Sequence, residues 1–210
     1  LVFTAAPTGH RAGAAIDTDG GNFSGDSEKA TYWTPTIAGL HVGVSYTPDN
    51  TEAGNVTRAG LQPLGNDNAA GAQGEIWDIG ATYKQTFQGV GISLAGAYSK
   101  GKLEVAAAGS DDRTEWAIGG QLSYMGFTVG GSYRQDDQGL TGNNEIQAWN
   151  AGVMYAMGPW AVSASYGKAT AEAGITAGVP FAGEDETTMY EIAIGYTVAP
   201  GIDIGIALIG

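Results

Sequence analysis

One hairpin pattern returns five times along this chain, and the repetition restricts the possible folds more than any other feature. In each copy a strand that carries a tyrosine runs into a tight turn, and a second strand leaves the turn through a bulky apolar residue. The copies occupy residues 32–46, 79–98, 118–133, 151–166 and 192–210. A sheet assembled only from hairpins is antiparallel and can close into a barrel.

The strands themselves can be read from period-two alternation bounded by Gly, Pro, Asn and Asp clusters. The pattern predicts ten of them, over residues 29–35, 40–48, 74–86, 90–100, 113–125, 127–136, 145–157, 160–170, 187–198 and 202–210. Short turns alternate with longer loops, which occupy residues 49–73, 101–112, 137–144 and 171–186. Short turns at one end and long loops at the other are typical of an antiparallel up-and-down transmembrane β-barrel.

Composition excludes several other classes of protein. The sequence has no run of eighteen apolar residues, so it contains no helical membrane span. Nine basic residues against twenty-two acidic ones give a net charge of −13. That balance disfavours nucleic acid and anionic membrane surfaces as partners.

One face of the predicted sheet is apolar, with aromatic residues near both strand ends and aliphatic residues between them. The aromatic residues are Trp77, Trp116, Trp149, Tyr190, Tyr83, Tyr124, Tyr155, Tyr196, Tyr46, Tyr98, Tyr133 and Tyr166. Two aromatic girdles around an apolar band are the pattern of a lipid-facing barrel wall. A soluble sandwich would instead bury its bulky face and expose a charged one. We therefore interpret the aromatic face as the lipid face.

The opposite face is small and polar, and it is suited to lining water rather than to packing as a core. Its charged residues, assigned to the lumen by parity, include Asp78, Glu115, Lys84 and Arg134. Lys84 and His41 fall near the predicted periplasmic turns, so we expect them in the vestibule. Arg134 falls near the external end, where it could instead anchor a loop through Asp136 or Asp137.

The segment KATYWTPTIAGLHVGVSYTP, residues 29–48, resembles the general porins of Gram-negative bacteria, of the alphaproteobacterial type. The resemblance rests on the spacing of Tyr32, Pro35, Gly39, Gly43 and Tyr46. It implies a trimeric, sixteen-stranded barrel whose third external loop folds inward to constrict the pore.

On that resemblance, residues 1–28 correspond to part of the inward-folded constriction loop, and residues 29–210 form a transmembrane barrel segment of five hairpins. The ten strands would be the sixth to the fifteenth, which implies that the sequence is an internal fragment. The alternative is a complete ten-stranded barrel, in which residues 29–35 must pair with residues 202–210.

The first segment is rich in carboxylates, namely Asp17, Asp19, Asp26 and Glu28. We expect these groups to set a negative field at the constriction, although solvated turn acids are an alternative interpretation. A calcium loop is a weaker hypothesis, centred on Asp17 and Asp19. It fails the EF-hand pattern because the sixth position is Asn22 rather than glycine. We expect no other cofactor or metal.

These patterns predict an outer-membrane porin, a homotrimer that lets small hydrophilic solutes and ions diffuse passively and mildly favours cations. Outer-membrane lipid and lipopolysaccharide are its expected partners. The alternative is a structural or adhesive barrel that binds a surface layer or lipopolysaccharide through the external loops 49–73 and 171–186. An enzyme is not expected, because two histidines, no cysteine and no Gly-x-Ser-x-Gly motif leave few nucleophile arrangements.

Overall fold

The computed structural model describes residues 18, 20, 24–25, 27–50, 69–142, 144–172, 175–176, 179–180 and 184–210. Within these residues ten strands form a single antiparallel sheet. The strands of this sheet are β1 (Ala30–Trp33), β2 (Leu40–Asp49), β3 (Gln73–Phe87), β4 (Val90–Leu103), β5 (Arg113–Tyr124), β6 (Phe127–Asp136), β7 (Ile146–Met157), β8 (Trp160–Glu172), β11 (Glu184–Ala199) and β12 (Ile202–Ile209). Two short strands, β9 (Ile175–Thr176) and β10 (Val179–Pro180), pair with each other between β8 and β11. The predicted all-β, up-and-down fold is confirmed.

Several strands differ in length from the prediction. β8 and β11 continue as a paired ladder as far as Glu172 and Glu184, inside the segment predicted to be a loop. Polar strand ends with both faces in water need no apolar alternation, so periodicity does not reveal them. β1 is shorter than predicted and ends at Trp33, just ahead of Pro35, which has no N–H to donate to a ladder.

Three of the short turns share one backbone geometry. Ala38, Gln88 and Met125 have φ values of 49°, 49° and 48°, and each is followed by a glycine with φ between 83° and 86°. Two consecutive residues with positive φ define the type I′ turn, whose twist matches that of the flanking strands. The glycine is needed at Gly39, where a Cβ would overlap the carbonyl oxygen of Lys84.

Among the described strands the sheet is open, because β1 pairs there with β2 alone and β12 with β11 alone. The pairing of the first and last strands required by a complete ten-stranded barrel is therefore not present between these two strands. Separately, no helix in the described residues is both long and apolar enough to cross a membrane.

Candidate pore lining

The two faces of the sheet differ sharply in what they expose. Among the described residues, the buried apolar ones are Ile76, Ala117, Ala148, Ala169 and Met189, all of which lie on the polar face by strand parity. The large residues of the other face are exposed or half-buried. The described sheet therefore has no packed apolar core beneath its bulky side chains.

The exposed face carries the aromatic residues as neighbouring pairs on adjacent strands. Ring centroids of these pairs lie 4.3 to 5.5 Å apart, within the range of favourable aromatic contact. The pairs are Tyr46–Trp77, Trp116–Tyr133, Trp149–Tyr166, Phe127–Tyr155 and Trp160–Tyr196. The first three lie toward the longer loops and the last two beside the short turns. This placement gives two aromatic rows on one face.

The opposite face carries a row of polar residues across four strands. Thr31 of β1 is in register with Ser45 of β2, which is in register with Asp78 of β3, and Asp78 is followed by Ser99 of β4. Asp78 Oδ2 accepts a hydrogen bond of 2.8 Å from Ser45 Oγ. A carboxylate is thus held in a line of hydroxyl groups on the face predicted to meet water.

Farther along the same face, acidic and basic side chains form a buried ionic cluster. Glu115 and Asp136 are directly opposite each other on β5 and β6, and both are almost fully buried. Arg134 donates to Glu115 at 2.8 Å and to Asp136 at 3.2 Å. Arg113 binds Asp136 through both Nε, at 3.0 Å, and Nη2, at 2.6 Å. The two guanidinium groups offset the electrostatic repulsion between the two carboxylates, which lie directly opposite each other on neighbouring strands.

The described parts of the segment before β1 lie against this face. Thr18 Oγ1 is 2.7 Å from Ser132 Oγ and accepts from Asn150 Nδ2 at 3.0 Å. Ser24 Oγ donates to Asp78 Oδ2 at 3.3 Å. These contacts place Thr18 against β6 and β7 and Ser24 against β3, so the described residues of the segment lie at two separate places on the polar face.

Of the acidic residues predicted to lie in that segment, the structure describes one. Glu28 is described and its side chain is exposed. Asp17, Asp19 and Asp26, and with them the calcium hypothesis, lie outside the described residues, as do most of residues 1–28. In the portion of the chain that is described, no three His, Asp or Glu side chains are grouped to hold a metal ion.

Lys84 lies near the short turns, on the polar face and exposed. It lines a cavity of about 370 Å³ with five other polar residues, namely Thr82, Ser93, Gln121, Ser132 and Asn150. Lys84 therefore lies apart from the buried ionic cluster that contains Arg134. Of the two partners considered for Arg134, the structure shows Asp136.

Trp33 is an aromatic residue of the polar face and lies outside the predicted girdles. Its partner in the ladder is Gly43, and it lies on the same face as Asp78. The indole is stacked on the imidazole of His41, with ring centroids 5.1 Å apart and an interplanar angle of 28°. The available signal was the pair Tyr32–Trp33, because adjacent strand residues point to opposite faces and one of the two aromatics must face inward.

Comparison with known families and proteins gives a consistent result. A family model described as "Gram-negative porin" matches residues 3–208. An uncharacterized protein of Rickettsia typhi is 22% identical over 187 residues, covering 67% of this chain and 42% of the relative.

Two solved structures show a similar fold. OmpF of Salmonella typhi, in a complex with daunomycin, superposes with a TM-score of 0.54 at 15% identity, covering 86% of this chain and 53% of OmpF. OmpT of Vibrio cholerae, in a trimer form, gives 0.51 at 15% identity, covering 93% of this chain and 61% of OmpT. The chain thus spans about half the length of the proteins it matches.

Proposed function

Because this chain belongs to the Gram-negative porin family, we propose that the protein is a passive diffusion channel for small hydrophilic solutes and ions, with a mild preference for cations. The family places it in the outer membrane, with transmembrane β-strands, and points to a channel rather than an enzyme. The solutes, the cation preference and the assembly are our proposals.

The channel proposal rests on one observation, which is that one face of the sheet is apolar and the other is polar. Ile192, Ile194 and Val162 are exposed on the aromatic face. Because about half of each side chain is exposed, contact with hydrocarbon would stabilise each by roughly half of the about 1.5–3 kcal/mol for complete burial. The other face carries hydroxyl, amide and charged groups, which are costly to bury without partners and readily solvated. A sheet with these two faces separates lipid from water.

The proposed cation preference rests on the charges of the polar face. Among the described contacts Asp78 accepts from the hydroxyl groups of Ser24 and Ser45 and forms no ion pair, and Lys29, which binds Ser24, offsets its negative charge only in part. The net charge of −13 has the same sign. Carboxylates that line a narrow water-filled passage raise the local concentration of cations.

The proposed constriction is formed by the segment that precedes β1. Thr18 and Ser24 bind the polar face at two separate places, on β6–β7 and on β3. Side chains bound at these two places occupy space on the polar face and would narrow the passage there.

We propose a homotrimer in contact with outer-membrane lipid and lipopolysaccharide. The trimer form of the Vibrio cholerae OmpT structure supports the assembly. Two ion pairs lie on the side of the longer loops, at the level expected for lipid headgroups. Lys102–Glu75 is exposed beyond the aromatic row, and Lys168–Glu186 begins at the level of Trp149 and extends past it.

The test is electrical. The full-length protein, reconstituted in planar bilayers, should give stepwise, ohmic current increments in potassium chloride. Under a salt gradient, the reversal potential should have the sign of cation preference. Absence of conductance would overturn the channel, and a reversal potential of anion-selective sign would overturn only the cation preference.

A further inference from the structure

A cavity of about 290 Å³ lies on the polar face, between β1–β4 and the described residues Gly20, Ser24 and Lys29. Trp33, Asp78, Ser99, Ser45, Thr31 and Lys29 contribute to its lining. We infer that this cavity is a binding site for a neutral, polyhydroxylated solute with the size of a single sugar ring. The inference rests on the proposed channel function and names a solute class for it.

The aromatic part of the site is the indole of Trp33. A Cβ at Gly43 would overlap the six-membered ring, so the indole lies flat over the glycine backbone. Stacking on His41 fixes its orientation, and Trp33 remains 57% exposed. A flat, fixed aromatic surface suits the C–H face of a sugar ring, which is apolar while the hydroxyl groups point sideways.

The polar part of the site has hydrogen-bonding capacity that the described chain does not use. Asp78 Oδ1 and Ser99 Oγ are buried and have no hydrogen-bond partner in the described structure, although Asp78 Oδ2 has two. Ser99 is fully buried. Buried polar atoms are nearly always paired, so unpaired ones beside a cavity indicate a ligand or water that completes them.

The charges of the lining favour a neutral solute. Lys29 Nζ donates to Ser24 Oγ and to the Gly25 carbonyl, each at 2.8 Å, and retains a third N–H. Its positive charge opposes a cation that Asp78 and the Trp33 ring would otherwise attract. Asp78 in turn opposes an anion. Hydroxyl groups can satisfy both residues, because each one donates and accepts.

The space above the floor of the cavity is open. Gly80 is in register with Gly43, and a Cβ built on Gly80 would meet nothing nearer than 3.8 Å. A side chain at Gly43 would displace the indole itself, whereas a side chain at Gly80 would extend into the open space beside it. Gly43 therefore seats the indole, and Gly80 leaves room for a solute ring.

The test uses the full-length protein in planar bilayers with D-glucose as the probe. We expect a saturable decrease in ion current as glucose is added. Trp33→Ala should weaken the apparent glucose affinity about tenfold, the factor for loss of one aromatic stacking contact, and Trp33→Phe should retain most of it. Ser99→Ala should weaken it as well, whereas Ser163→Ala, the same change on the polar face of β8 away from the cavity, should not.

The outcomes separate the two proposals. A protein without conductance overturns the channel. A conducting protein whose current falls with glucose only as bulk conductivity falls, equally in all variants, leaves the channel and overturns the binding site. Saturable block by choline without block by glucose also overturns it, in favour of a cation site. If the Trp33→Ala variant does not insert into the bilayer, the Ser99→Ala and Trp33→Phe variants still test the binding site.

Discussion

Arg134 on β6 donates through Nε to Oε1 of Glu115 on β5 at 2.8 Å, where the Glu115 carboxylate is completely buried. The same guanidinium also donates to Asp136, so one cation binds two buried carboxylates. Removing one partner of a buried pair is far more costly than removing one from an exposed pair, because the remaining charge stays out of water.

Arg134→Met should therefore lower the free energy of unfolding by about 3–5 kcal/mol. The measurement is the urea concentration at half-unfolding in lipid vesicles. Lys102→Met is the matched control, because it breaks the Lys102–Glu75 pair, whose side chains are 62% and 60% exposed. That variant should unfold at the wild-type urea concentration. Equal effects of the two substitutions would contradict a special role for the buried cluster.

Asp78→Asn should reduce cation preference. The amide has nearly the shape of the carboxylate and can still accept from Ser45, so the change removes charge with little change in packing. The reversal potential in a potassium chloride gradient should move toward zero, and Lys84→Gln should move it the other way. Glu75→Gln removes the same charge from an exposed pair above the aromatic row, and it should leave the reversal potential unchanged.

Much of this fold could be predicted from the sequence, because each strand has a period of two and each turn contains glycine or proline. The alternation of residues along β3 predicts that Asp78 and Trp77 face opposite sides of the sheet, and they do so in the structure. Alternation also predicts Glu115 and Arg134 on one face, whereas the direct opposition of Glu115 and Asp136 depends on register between strands.

The details of the candidate site could not be predicted in the same way. The hydrogen bond from Ser24 to Asp78 joins residues 54 positions apart, and no local pattern specifies it. The irregularity in β3 between Gly74 and Trp77, with Glu75 at φ 46°, shifts the register without a glycine at the strained position. Long-range contacts and bulges depend on how neighbouring strands fit, which alternation within one strand does not encode.

Met125→Asn should stabilise the protein. Met125 is the first residue of a type I′ turn, with φ 48°, and is 76% exposed, so its side chain contributes little packing. Asparagine tolerates the left-handed region better than other non-glycine residues, and the gain should be up to about 1 kcal/mol. The same urea titration measures this gain in stability.

Two further variants serve as controls. Met125→Val should destabilise the protein, because a β-branched residue fits poorly at positive φ, and Gln88→Asn should repeat the gain in a second turn. A loss of stability in both asparagine variants would contradict the turn assignment.

Tryptophan fluorescence in vesicles of brominated lipid should distinguish the two faces of the sheet. The chain has five tryptophans, so single-tryptophan variants can be made with phenylalanine at the other four positions. Trp116 and Trp160 lie on the aromatic face toward opposite ends of the strands, and both are exposed. Because girdle residues lie near the lipid headgroups, bromine placed high on the acyl chain should quench both strongly, and bromine near the bilayer centre should quench them less.

Trp33 lies on the opposite face over Gly43, separated from lipid by the thickness of the sheet. It should be quenched weakly by either lipid while remaining accessible to iodide in water. Strong quenching of Trp33 by brominated lipid, or none of Trp116, would show that the faces are reversed.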